Sequence, residues 1–488
     1  MFSDFNTQLG AVNSQALDMG QAEELAKTLQ AGHGYLGAPT SLVGGAALQV
    51  ESLDSTLKSV TYDASNLIMW PSIPQDRAYS LVEQYVRTNS YGDGGSAFVP
   101  ESGSPSMNDS EYNRHAQKVV FLSTRRGVSL ASTLVRSFAG DAESRESQAG
   151  TLWMLERLER ELYKGNADFS NNGKFDGEIS AIPSKMQNLN LSGLEVQLRS
   201  GDSDFSAQAR AFDGFGGADS IIKDMEGDII SESTIEDLAN VLMQNFGRPD
   251  QLHLAPKQMS DFIKQFFPKE RVNVLGIADG KAGYVVREMV TTAGSIALRP
   301  NLFLKPKDAP KSQNDRASVP QAPAAAAAAL ATDGDSKLKL GEKYSYSVSA
   351  VNEQGECAAT AATSEVTVDA DGKNIKVTIS APAGGAAPTH YAVYRSDKNG
   401  AGKKFVGYVK AAGASTVFTD RGEKVEGGAT AYMLDMRPEI MVWKQLAPLM
   451  KINLAQVSTS KEFLLWLAGT LIIFAPRKSG IIQNIGKA

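Results

Sequence analysis

A single cysteine, Cys357, in 488 residues excludes an intrachain disulfide and any thiolate metal cluster. Such cysteine usage suits a reducing cytoplasm, or a particle assembled in one. Histidine is also scarce: His33, His115, His253 and His390 are scattered without metal-ligand spacing. No apolar run reaches the roughly 20 residues of a membrane helix. The only strongly apolar stretch, FLLWLAGTLIIFA from Phe463 to Ala475, lies between Lys461 and the Arg477-Lys478 pair. Its β-branched second half and central Gly469-Thr470 predict buried strands around a bend. The opening MFSDFNTQLG lacks a basic n-region and a continuous apolar segment, so no secretion signal is visible. Excess positive charge is missing too. A net charge of −6 gives no global argument for avid nucleic-acid binding.

What is present describes an ordinary globular protein, 42% hydrophobic and 21% charged. Its length suggests about three domains. The first 45 residues are small and polar, with one helix expected around residues 21–30. Residues 60–115 are extended and broken by turn chemistry, YGDGGSAFVPESGSPSMNDS. This predicts a long two-stranded excursion rather than a compact core. An isolated hairpin is marginally stable in water, so such an arm needs a partner surface.

From Asp141 to Tyr163 the spacing predicts a rod-like helix with Leu152, Leu155, Leu158 and Leu162 on one stripe. Glu156 with Arg160, and Arg157 with Glu161, are i,i+4 pairs on the expected exposed flank. Gly165-Asn166 supplies the stop. A second helix is expected from Ser233, with Glu236 completing a capping box. Its buried face is Ile235, Leu238, Val241, Leu242 and Phe246, and Gly247 ends it. The strand QLHLA leads into a helix carrying Met259, Phe262, Ile263, Phe266 and Phe267. After Pro310, APKSQNDRASVPQAPAAAAAALATDG reads as a low-complexity linker. Period-two segments follow, YSYSVSAV, EVTVDA, NIKVTIS and HYAVYRS, and predict a small all-β sandwich ending near Gly428. AYMLDMRPEIMVWKQLAPLM then returns to the larger residues typical of the chain before Pro310, so the sandwich reads as an insertion in a parent domain.

No stretch meets a catalytic or metal-binding template. Asp168, Ser170, Asn172 and Gly173 match the first half of a calcium loop, but position twelve is Ile179 and Glu178 falls one residue early. GAGKK, Gly400 to Lys404, resembles a phosphate loop but has Asp397 and Lys404 where Gly and Ser or Thr are required. It reads as a hairpin turn. GVSLA, Gly127 to Ala131, lacks the final Gly of a nucleophile elbow. STRRG at 123–127 and RKSG near the C-terminus are the only tight basic clusters, and read as solvated faces or subunit salt bridges. No catalytic, cofactor-binding or metal residue is assigned, and no cofactor is expected.

The parts, taken in order, resemble the major capsid proteins of tailed bacteriophages with the Hong Kong 97-type fold. ERELYKGNADFSNNGKFDGEISAI is similar to the exit of that family's spine helix, LHLAPKQMSDFIKQFF to a strand-to-helix step of its axial domain, and TLIIFAPRKSGIIQNI to closing strands of its peripheral domain. The resemblance implies an α+β capsid fold: an N-terminal arm at 1–60, an extended E-loop at 61–117, and the spine helix and peripheral domain at 118–232. The first part of the axial domain follows at 233–310, a Pro/Ala-rich linker at 311–334, and an inserted sandwich at 335–428. The axial return and closing peripheral strands occupy 429–488. YSYSVSAVNEQGE and YAVYRS resemble fibronectin type III or immunoglobulin-like modules, which implies display on the outer surface.

The resemblance implies a subunit that associates with itself into hexamers and pentamers of a closed icosahedral shell. That shell would be assembled in the bacterial cytoplasm and would enclose double-stranded DNA without reading its sequence. Implied partners are a scaffolding protein, a portal protein and decoration proteins, with no membrane and no enzymatic activity. Some members lock the shell with an isopeptide bond from an E-loop lysine. Here no lysine lies between Lys58 and Lys118, which implies non-covalent locking. If the mature subunit begins at Met1, no N-terminal scaffolding segment is removed. Two alternatives remain open at this point: an encapsulin-like compartment shell, and a carbohydrate- or cell-surface-binding protein that works through the sandwich.

Overall fold

A computed structural model describes residues 63–92, 98–104, 107, 109–134, 141–165, 191–205, 220–265, 287–311, 318–332, 336–352, 355–400, 402–456 and 459–487. The chain divides into two units, Met1–Val60 with Leu134–Ala142, and Thr61–Thr133 with Glu143–Ala488. The helix expected at 21–30, the polar turn beyond Gly165 and the calcium-like spacing at 168–179 lie outside the described residues.

Ala142–Lys164 is one helix of 23 residues, about 35 Å long at 1.5 Å per residue. Met154, Leu158, Leu162 and Tyr163 are buried, while Leu152 and Leu155 are half-buried. The pair Glu156–Arg160 forms at 2.8 Å. The expected charged flank needs correction, because Glu159 and Glu161 are both buried. The helix stops at Gly165, whose amide donates to the Glu161 carbonyl at 2.8 Å. A Cβ there would lie 2.6 Å from the Glu161 and Leu191 carbonyl oxygens. Glycine is required because a second segment crosses at backbone distance, with the Gly193 amide donating to the Gly165 carbonyl at 2.8 Å. The helix Leu194–Phe205 therefore starts against the end of the long one.

A four-stranded sheet runs in the order Gln75–Arg77, Met441–Asn453, Ser460–Ile473, Val120–Ser129. The apolar run expected to bend at Gly469-Thr470 is instead one strand of 14 residues. Gly469 makes room rather than a turn: a Cβ on it would lie 2.4 Å from the fully buried Trp443 ring. Register shifts fall on the partner strand, between Gln445 and Ala447 and between Ala447 and Met450.

A six-stranded sheet runs Ile222–Asp224, Gly480–Lys487, Gly428–Leu434, Gln251–Leu254, Gly294–Pro300, Glu288–Thr291. Gln251–Leu254 and Gly480–Lys487, assigned to different domains, both pair antiparallel with Gly428–Leu434. Leu252, Leu254, Ile481, Ile482 and Ile485 share one apolar core with Leu158 and Leu162 of the long helix. The helix Glu232–Gln244 is capped by Ser231, two residues before the expected Ser233; its side chain accepts from the Thr234 amide at 3.3 Å. Glu236 does not close a capping box but accepts from the Thr292 amide at 3.1 Å. Phe246, expected in the buried face, is exposed with φ 61°, because the chain turns left-handed after Asn245. In the helix Pro256–Lys264, Met259 and Phe262 are buried; Phe266 and Phe267 lie outside the described residues.

Between these strands in sequence, two further sheets pack face to face. One runs Gly355–Glu356, Tyr346–Asn352, His390–Ser396, Lys403–Lys410; the other runs Ser415–Asp420, Lys373–Ser380, Ala325–Thr332. Tyr346, Val348, Val377, Ile379, Val393 and Phe418 lie in their shared core. Part of the expected linker is thus a strand: Ala325–Thr332 pairs with Lys373–Ser380 over eight positions. Ala326, Ala328 and Leu330 pack on the core. Methyl side chains on both faces conceal the period-two pattern that marks strands.

Two short pairs complete the described sheets: Lys343–Tyr344 with Val366–Thr367, and the antiparallel hairpin of Val82–Ser90 with Glu111–Lys118. The excursion is shorter than the expected 61–117. Leu67, Met69, Ile73 and Ala78 are buried, and Gln75–Arg77 belongs to the four-stranded sheet.

Candidate functional site

The residues weighed for chemistry stay apart or serve the fold. Among the described residues no group of three or more His, Cys, Asp or Glu is placed to hold a metal. No helix among them is long and apolar enough to cross a membrane. Cys357 is buried, accepts from the Ala350 amide at 3.0 Å, and has its thiol pKa pushed up by burial. Of GAGKK, Gly400 and Gly402 lie between His390–Ser396 and Lys403–Lys410, and Lys403 and Lys404 open the latter strand. Within STRRG, Arg125 pairs with Glu462 and Arg126 with Glu146 at 3.6 Å. In RKSG, Arg477 is buried.

The polar centre of the body is a cluster that the sequence did not single out. Glu159, fully buried, accepts from the backbone amides of Ile68, Met69 and Trp70 at 3.0, 2.7 and 2.9 Å. Asn301 donates to the same carboxylate at 2.8 Å and to the Tyr163 hydroxyl at 3.0 Å. That hydroxyl lies 2.6 Å from His253 Nδ1, while His253 Nε2 lies 3.0 Å from Gln251 Oε1. With Tyr163 already accepting from Asn301, its proton points to Nδ1, so the network assigns a neutral imidazole protonated at Nε2. Burial and the nearby Arg299 charge lower the His253 pKa to about 3. Glu159 thus ties the long helix to the first turn of Met69–Ser72, the segment that leads to the hairpin. The only sequence cue was an acidic residue at an apolar-stripe position.

The hairpin carries an exposed apolar surface. Its odd-numbered residues Glu83, Tyr85 and Arg87 are half-buried, while Val82, Val86 and Tyr112 are exposed. Along the connection between the strands, Tyr91, Phe98 and Met107 are 89%, 92% and 94% exposed.

No family model matches the chain. Curated relatives do. The major capsid protein of Staphylococcus phage S25-3 is 22% identical over 476 residues, 95% of each chain. The major capsid protein of Staphylococcus phage K matches equally, at 22% over 95% of each. Over nearly its whole length this chain is similar to phage major capsid proteins. The putative major capsid protein of Enterococcus phage phiEF24C is a further relative, 22% identical over 95% of each chain. Among solved structures, the capsid of a native GTA particle covers 92% of this chain and 100% of its own at 8% identity and TM-score 0.45. The holo-SrpI encapsulin complex from Synechococcus elongatus PCC 7942 covers 88% and 92% at 9% identity and TM-score 0.37. At those TM-scores neither likeness carries an argument about this chain.

Proposed function

We propose that this chain is the major capsid protein of a tailed bacteriophage, folded on the Hong Kong 97 plan and assembling with itself into a closed icosahedral shell around double-stranded DNA. One observation carries the reading: relatives named major capsid protein match it over 95% of both lengths.

The physical features fit the role. The long helix is the spine, and the hairpin of Val82–Ser90 with Glu111–Lys118 is the E-loop. A hairpin with apolar residues outward gains stability when a neighbour covers it. Closed point-group symmetry provides that neighbour for every copy. The sandwich of residues 325–420 is an immunoglobulin-like module on the outer face of the shell. The role is structural, and assembly takes place in the host cytoplasm with scaffolding and portal proteins.

Mass spectrometry of purified phage particles tests this. The chain is expected as the most abundant virion protein, in hundreds of copies; its absence from particles would refute the reading. A denaturing gel of the same particles is expected to show a monomer band near 52.1 kDa without a ladder of covalent oligomers. A ladder would sink non-covalent locking.

A further inference from the structure

The half-buried face of the hairpin touches its own subunit at one place. Tyr85 and His115 are directly paired across the strands, and Arg87 follows on the same face. Arg87 Nη2 donates to the Ile473 carbonyl at 2.8 Å and to the Tyr85 hydroxyl at 3.0 Å. The Tyr85 ring meets Phe474 edge-on at 5.2 Å and stacks on His115 at 5.6 Å, with 24° between the planes. His115 Nε2 lies 3.4 Å from Arg87 Nη1. Ile473 ends the central strand of the four-stranded sheet, so the far wall of this contact is fixed by the core.

Arginine stays charged at every relevant pH and has only donors to offer. Beside it, His115 Nε2 is compatible only as an acceptor, with the imidazole neutral. A protonated imidazole has donors at both nitrogens and would set a second positive charge against the guanidinium.

We propose that Tyr85, Arg87 and His115 form a latch holding the hairpin on Ile473 and Phe474 of the same subunit, and that protonation of His115 opens it. Tyr85 and Arg87 of the paired strand face His115. Glu83, next along that face, already accepts from the Tyr79 and Ser80 amides at 2.7 and 2.9 Å. The body contributes the Ile473 carbonyl and the Phe474 ring. The latch is closed at neutral pH and is lost as pH falls through the range in which histidine takes up a proton. It lies within one chain and does not depend on shell assembly.

Hydrogen exchange on the unassembled full chain tests it, comparing pH 7.5 with pH 5.5 at constant ionic strength after correction for intrinsic rates. Exchange of the paired amides in 82–90 and 111–118 is expected to accelerate in acid, by at most about tenfold per pH unit for one proton. The His115→Gln variant, which keeps an acceptor that does not titrate, is expected to hold its protection at both values. The Arg87→Ala variant is expected to lose protection at both, with exchange in 460–473 unchanged. Protection of the wild-type hairpin that does not vary with pH would overturn the switch, as would acid acceleration that persists in His115→Gln. Full protection in Arg87→Ala would overturn the latch itself.

Discussion

Glu159 shows how much one buried side chain can decide. It stands in a run of paired charges, ERLERE, where the bland reading is a solvated flank. Its carboxylate instead receives three backbone amides that start a short helix and would otherwise be unpaired in the core. Glu159→Gln replaces an acceptor oxygen with a donor against amides that can only donate. Each buried group left unpaired costs about 1–3 kcal/mol. A drop of that size in urea unfolding stability is expected, with tryptic cleavage at Arg77 accelerated. In the sandwich, Arg395 is 2% exposed and donates to both Asp420 oxygens at 3.0 and 2.8 Å and to Glu426 at 2.8 Å. Arg395→Met leaves two carboxylates buried without their cation and is expected to cost about 3–5 kcal/mol. The two buried histidines set a pH dependence. Burial, with Arg299 beside one and Lys307 beside the other, lowers the pKa of His253 and of His390 to about 3. A histidine depressed in the folded state contributes its full stability above the unfolded value near 6.5. That contribution is lost as pH falls from there toward about 3, at up to about 1.4 kcal/mol per pH unit for each group. Unfolding midpoints measured from pH 7 to 4 should fall in wild type and fall less steeply in His253→Gln.

At the scale of elements, periodicity carried the sequence reading where one face is apolar and the other polar. The long helix was legible to within a residue at each end because Leu158 and Leu162 repeat at helical spacing. Sandwich strands such as Lys373–Ser380 were legible for the same reason at period two. Where periodicity vanished, so did the signal. Ala325–Thr332 hid in a run of alanines, and Gly469 looked like a bend because its real cause, the Trp443 ring, lies on another strand. Both outcomes can be checked. Ala328 packs on the sandwich core whereas Ala327 is exposed, so Ala328→Asp should destabilise the protein by at least about 2 kcal/mol and Ala327→Asp by about 0.5 kcal/mol or less. Equal effects would mean the strand does not hold this register. Gly469→Ala places a methyl group inside the Trp443 ring's contact distance and is expected to cost about 1–3 kcal/mol, read from thermal unfolding.

At the scale of the whole molecule, the hairpin is where apolar side chains such as Val86 and Tyr112 stand exposed among the described residues. Aspects of function were legible as organisation rather than as motifs: a stiff helix, an arm without burial of its own, and a sandwich between two stretches of one parent sheet. The Glu159 cluster and the hairpin contact were not legible, because both join residues far apart in the chain, such as Glu159 with Met69 and Arg87 with Ile473. Self-association on this reading runs through surfaces such as the outer face of the hairpin. Light scattering with negative-stain imaging on the full chain, produced together with its genomic neighbours, tests it most directly. Closed shells built from this chain are expected, and Val86→Asp with Tyr112→Asp should leave folded subunits that no longer form them. A wild-type chain that remains a monomer or small oligomer under those conditions would contradict the account.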